Sequence, residues 1–210
     1  LSIKNPNKYI NYKSYIASLS AMLKTSKNKC NVIWLAITPN KKIQFDIVKE
    51  CIENNFNLVI EKPWLVDREK TAYLNQLQKK HKVLIGFNFE YLYLDFFKKI
   101  EKDLFYGQCT ILLNFHVKND KLKNIHFNEL GSHLLAIKKY YFENNKNLKI
   151  STGYQKNLRS ITFNKNKYNE KIFDFTNNKE PLIQRFIKDY LKNLNNKEKY
   201  SLDFTLALMK

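Results

Sequence analysis

Two places in this sequence combine residue types and spacing that can act on a polar small molecule. The first is Glu61-Lys62-Pro63, a charged pair stiffened by proline directly after the apolar stretch Asn57 to Ile60. Proline fixes its own φ and restricts the residue before it, so Lys62 cannot wander far from the end of that stretch. That stiffness would position an ammonium. Taken alone, Lys-Pro is also an ordinary solvated loop lysine. The second place is Glu129-Leu130-Gly131-Ser132-His133. Residues four apart on a helix share a face, which puts Glu129 beside His133 while Leu130, Leu134, Ile137 and Tyr141 form the apolar side. A carboxylate next to an imidazole can orient it for general acid or base work near neutral pH. Taken alone, the same spacing is a helix-surface ion pair.

Hydrophobic periodicity indicates which elements must carry these groups. Apolar residues at 15, 16, 19, 22 and 23 give one helical face over Tyr15 to Leu23. Asn31 to Thr38 is a nearly continuous apolar run of strand length, as in a strand buried on both faces of a parallel sheet, and Pro39 stops it. A helix is expected over 41–54 through Ile43, Ile47, Val48, Cys51 and Ile52, a strand over Asn57 to Ile60, a helix from the N-cap Asp67 to Lys80, and a strand over Lys82 to Gly86. Strands alternating with helices of this length are the mark of βαβ units. Beyond a helix expected around Tyr91 to Leu104, Gly107 opens a different regime. There the pattern predicts a strand over Gln108 to Val117, a helix over Asn128 to Phe142, strands near Leu158 to Phe163 and Lys171 to Phe175, and helices from Pro181 to Asn193 and from Ser201 onward. The stretches Asn144 to Lys149 and Thr176 to Glu180 read as polar turns. The expected fold class is therefore α/β followed by α+β: an incomplete Rossmann-like parallel sheet over 1–105, its N-terminal part absent, then an α+β domain with an open sheet and C-terminal helices over 106–210.

In a parallel sheet, ligands bind outside the carboxyl ends of the strands, where loops and helix N-termini converge. Three such ends carry unusual residues: Thr38-Pro39-Asn40, Glu61-Lys62-Pro63 and Gly86-Phe87-Asn88. Of the two tryptophans, Trp34 lies mid-strand and reads as core, whereas Trp64 either edges a substrate pocket or packs beneath its loop.

Composition narrows the class. The 210 residues are 44% hydrophobic and 14% aromatic with four glycines and four prolines, which is a folded chain able to bury its own core. Cys30, Cys51 and Cys109 are odd in number and widely spaced without Cys-x-x-Cys, which argues against a disulfide framework or a zinc site and for free thiols in a reducing compartment. No apolar run approaches the roughly 18 residues of a membrane span, and the first residues lack signal-peptide character, so a cytoplasmic protein is expected. The net charge of +18 raises the question of nucleic acid, but the lysines are spread among asparagines along the whole chain and form no stripe. Nucleic acid is disfavoured on that ground, and an anionic substrate is the milder implication.

Together the three loop motifs, spaced as strand, helix, strand, helix, strand, resemble those of the glucose-fructose oxidoreductase, inositol dehydrogenase and MocA family. The resemblance runs from about Tyr15 to the C-terminus, with Glu61-Lys62-Pro63 its most specific tag. It aligns the family's Asp-x-Gly-x-His with Glu129 to His133, glutamate standing in the aspartate place. It implies hydride transfer between NAD or NADP and a hydroxyl carbon of a sugar, cyclitol or nucleotide sugar. His133 would exchange the hydroxyl proton, Glu129 would hold His133, and Lys62 would lie between cofactor and substrate. Thr38, Pro39, Asn40, Glu61, Lys62, Pro63 and Asn88 would contact the cofactor, and the open sheet would support a homo-oligomer.

The sequence also departs from that family. No Gly-x-Gly-x-x-Gly accompanies a strand and helix, so either the pyrophosphate cradle precedes Leu1 or it has been lost. Ile43 stands where the family carries His, Glu90 where its Gly-x-Asn-x-Arg has Arg, and Ala136 where an Asp commonly follows the motif histidine. These changes keep open a second class, a non-catalytic relative serving as a binding or assembly subunit.

Overall fold

The computed structural model describes residues 12–26, 30–36, 40–95, 97, 109–115, 126–154, 160–165, 169–174, 181–194 and 200–208. In chain order the described elements are α1 (Tyr12–Ser26), β1 (Val32–Leu35), α2 (Lys41–Glu53), β2 (Asn57–Ile60), α3 (Arg68–His81), β3 (Ile85–Phe87), a 3-10 turn (Glu90–Tyr93), β4 (Cys109–Phe115), α4 (His126–Tyr141), β5 (Leu148–Tyr154), β6 (Ser160–Lys165), β7 (Asn169–Asp174), α5 (Leu182–Lys192) and α6 (Leu202–Leu208). The chain divides into two compact units, Leu1–Asn88 with Asp189–Lys210, and Phe89–Lys188. The residues from Asp189 onward thus return to the first unit, whereas the sequence pattern placed them with the second half.

In the first unit β1, β2 and β3 form a parallel sheet in that order, with Ile33 beside Leu58, Val59 beside Gly86 and Ile60 beside Phe87. Its interior holds Ile47, Val48, Cys51 and Ile52 of α2, Leu58 and Ile60 of β2 and Leu74 of α3, all essentially inaccessible to solvent, whereas Ile43, also expected on the apolar face of α2, is part-buried. Burial also pushes the Cys51 thiol up to about 12, so it stays protonated and inert. Asp67 caps α3 by accepting from the Lys70 N–H at 2.9 Å, a bond that, with Lys41, holds its carboxyl below the usual range. Lys82 closes α3 in the left-handed region at φ 53°.

The C-terminal return explains two otherwise isolated residues. Gly86 lies so close to the Tyr190 ring that a Cβ there would meet it at 2.8 Å. The Tyr190 hydroxyl is 3.0 Å from the Leu58 carbonyl, and the Tyr200 carbonyl accepts from the Ile85 N–H at 3.3 Å and from Gln78 Nε2 at 3.1 Å. The outer edge of β3 is therefore covered by chain, which removes an open pairing edge.

The second unit holds a four-stranded mixed sheet in the order β5-β4-β6-β7. β4 and β5 are parallel, joined through α4, while β6 runs antiparallel to both β4 and β7. Strand β5 is where the sequence reading failed: Leu148–Tyr154 alternates in the manner of a strand, but its first two residues were absorbed into the polar run Asn144 to Lys149 and read as a turn. The helix expected from Tyr91 is, in its first residues, the 3-10 turn Glu90–Tyr93, and residues 98–108 lie outside the described set.

Candidate active site

The parallel register brings three side chains to the carboxyl edge of the first sheet. The ladder continues one residue past β2 on both sides, with the Glu61 N–H donating to the Leu35 carbonyl at 3.1 Å and the Asn88 N–H to the Ile60 carbonyl at 3.0 Å. Glu61 consequently sits between β1 and the segment after β3. Its Oε1 accepts from Trp34 Nε1 at 3.0 Å and from Asn88 Nδ2 at 2.9 Å. One carboxylate thereby clasps all three strand ends through charge-assisted bonds, each worth about 1.5–3 kcal/mol. Asn88 is 3% exposed, and its Oδ1 has no hydrogen-bond partner. A buried acceptor left unmet among the described residues costs about 1–3 kcal/mol.

The loop that carries Lys62 is bonded along most of its length. Buried Gln44 of α2 donates from Nε2 to the Pro63 carbonyl at 2.8 Å and accepts from the Leu65 N–H at 2.9 Å. Trp64 donates to Thr71 Oγ1 at 3.0 Å and meets the Phe87 ring edge-on at 5.3 Å. Asp67 pairs with Lys41 at 3.0 Å. Lys62 itself is part-buried and its peptide bond to Pro63 is cis. Gln44 and Trp64 bond this loop to α2 and α3, and Glu61 bonds its start to β1 and the segment after β3.

In the second unit His133 lies on α4 and is 1% exposed. Its ring stacks on Tyr91 with centroids 4.2 Å apart and 21° between planes, and faces the edge of Phe89 at 6.1 Å. Its Nε2 is 4.0 Å from Glu90 Oε1, an ion-pair separation and not a hydrogen bond. About two turns further along α4, the Tyr141 hydroxyl donates to the Leu92 carbonyl at 2.6 Å, and its ring stacks on Phe97 at 4.2 Å. Arg185 of α5 completes the grip, pairing with Asp95 at 2.8 Å and donating to the Tyr93 carbonyl at 3.2 Å.

Of the residues singled out from sequence, Glu61 and Asn88 are joined directly, and Lys62 and Pro63 follow in the same loop. Asn40 caps α2, its Oδ1 accepting from the Ile43 N–H at 3.1 Å. Thr38 and Pro39 lie outside the described residues. Glu129 is in α4, but its side chain also lies outside them. Trp34 is not plain core: it is part-buried because its indole N–H must reach Glu61. Trp64 packs against the loop's own helix and strand. Ala136 is fully buried, so that position serves packing. Sequence reasoning missed Gln44, although a polar residue one helical turn before Ile47 and Val48 was a usable signal, and it missed Glu90 as a neighbour of His133.

Three parallel strands separated by helices, with polar groups gathered at the carboxyl edge, define a Rossmann-type α/β unit. No family model matches this sequence, and no curated protein does. Solved structures do share the fold. A UDP-N-acetylglucosamine 3-dehydrogenase from Acidithiobacillus ferrooxidans superposes with a TM-score of 0.69 at 11% identity, covering 96% of this chain and 78% of its own. A dehydrogenase from Thermus thermophilus, solved with NAD and alpha-ketoglutarate, gives 0.66 at 12% identity over 96% of this chain and 76% of its own. A 3-ketoreductase from Actinomadura kijaniata, solved with NADP and TDP-benzene, gives 0.61 at 8% identity over 90% and 78%.

Proposed function

We propose that the protein is an NAD(P)-dependent oxidoreductase acting at a hydroxyl carbon of a sugar, cyclitol or nucleotide sugar. The observation that carries this reading is the clasp of Trp34, Glu61 and Asn88 at the carboxyl edge of the parallel sheet, with Lys62 next in chain. Solved structures of the same fold that hold NAD or NADP support it. The residues fit the nicotinamide end of such a cofactor: the unmet Asn88 Oδ1 can accept from an amide or hydroxyl. Among the described residues no glycine turn is present to cradle a diphosphate. Gly86 is packed against Tyr190, and Gly131 and Gly153 lie within α4 and β5.

When bound, the dinucleotide supplies the hydride acceptor or donor. In this reading the Lys62 ammonium stabilises the developing alkoxide, His133 takes or returns the hydroxyl proton, and Glu129 holds His133. Glu61, Pro63 and Asn88, together with the Thr38-Pro39-Asn40 loop, receive the cofactor. The charge of +18 favours an anionic substrate such as a nucleotide sugar. A cytoplasmic homo-oligomer formed through the four-stranded sheet belongs to the same reading; no helix among the described residues is long and apolar enough to cross a membrane.

Calorimetric titration of the full-length protein with NADH and NADPH tests this function. Binding of either is expected, and heat from neither would overturn the reading. A second reading, a non-catalytic relative that binds or assembles, is favoured by the 1% exposure of His133 and the buried Ala136.

A further inference from the structure

We infer that Glu90, brought in from outside α4, is a carboxylate that positions His133. This inference rests on the oxidoreductase reading only for its catalytic consequence. Three observations carry it. Glu90 Oε1 lies 4.0 Å from His133 Nε2, and the Glu90 side chain is only 20% exposed, so water weakens their attraction less than on an open surface. The neighbouring residue of the same turn, Tyr91, stacks its ring on the imidazole, and Phe89 closes its edge, so the ring has little freedom to rotate. The turn itself is pinned at its far end by Tyr141 to Leu92 and by Arg185 to Tyr93 and Asp95. A single 3-10 turn therefore delivers a charge and an aromatic face to one imidazole, and α4 and α5 hold that turn in place.

The negative charge 4.0 Å from Nε2 favours the proton on that nitrogen by electrostatics alone, which leaves Nδ1 as the basic atom. Glu90 acts through His133 and is a positioning residue. The position that broke the family's pattern by exchanging a cation for an anion is thus the one that selects which imidazole nitrogen does the work.

Imidazole nitrogen-15 spectra of the full-length protein test the assignment, because the separation of the two ring resonances reports which nitrogen bears the proton. His133 is assigned by its loss in His133→Asn. In the wild type the proton is expected on Nε2. In Glu90→Ala the two resonances are expected to draw together as the tautomers mix, and Glu90→Asp should restore most of the separation. If Glu90→Ala does not fold, Glu90→Gln, which keeps the shape and drops the charge, is compared in its place. Unchanged separation in the uncharged Glu90 variants would overturn the inference. Where turnover is measurable, kcat is expected to fall about tenfold in Glu90→Ala with KM within about twofold. Expected spectra with no turnover in any variant would leave the pairing standing and remove the oxidoreductase reading alone.

Discussion

The two polar centres of this molecule are built on opposite principles. At the sheet edge of the first unit, a carboxylate at one strand end gathers donors from the other two and the neighbouring lysine sits part-buried in a bonded loop. In the second unit an imidazole is enclosed by two aromatic rings, with a carboxylate at ion-pair distance and almost no solvent access. The first centre is held by hydrogen bonds and leaves a buried acceptor for a ligand; the second is held by packing. Polar clasps of the first kind tolerate loss of a side chain that projects from them, whereas an enclosed ring is part of the core and its removal leaves a void.

That contrast is sharpest in a pair of variants. Lys62→Ala is expected to lower kcat by about 10²–10³ while stability stays within about 0.5 kcal/mol, because the ammonium is lost from a loop that Gln44, Trp64 and Glu61 still hold. His133→Ala is expected to lose turnover and also about 2–4 kcal/mol of stability, read from denaturant midpoints. Equal and negligible stability losses in the two variants would erase the distinction. A smaller effect sharpens the first side of the comparison. Gly86→Ala puts a methyl group against the Tyr190 ring and should cost about 1–3 kcal/mol, because that ring is anchored to the Leu58 carbonyl and cannot swing aside freely. A melting temperature equal to the wild type would show that the C-terminal return is looser than this packing implies.

Most of the first unit was legible in the sequence because its order is local. The apolar runs of β1 and β2, the Asp67 cap and the strand-end loops follow from periodicity and capping chemistry within short windows. Glu61 and Asn88 were placed correctly at the sheet edge, but their mutual bond depends on strand register, which no single window contains. Gln44 was overlooked because the apolar count over α2 favoured Ile43, whereas the bonds to Pro63 and Leu65 draw Gln44 inward. The second unit was less legible. Strand β5 alternates only briefly after a polar asparagine-rich run, and it pairs with β4 through residues far off in sequence. Spacing within one helix pointed to Glu129 as the partner of His133, since helical geometry alone can reveal only neighbours three or four residues away. Glu90 comes from another element, and its approach depends on a turn fixed by Tyr141 and Arg185.

The central claim is that the Trp34, Glu61 and Asn88 clasp receives a nicotinamide cofactor, and Trp34 makes it directly measurable. Its indole N–H is bonded to Glu61 within the clasp, and reduced nicotinamide absorbs where tryptophan emits. Titrating the full-length protein with NADH or NADPH is expected to quench tryptophan emission and raise nicotinamide emission, with the transferred signal much reduced in Trp34→Phe. Tryptophan emission unchanged by both reduced dinucleotides up to about 1 mM, the upper end of ordinary enzyme affinities, would contradict the account.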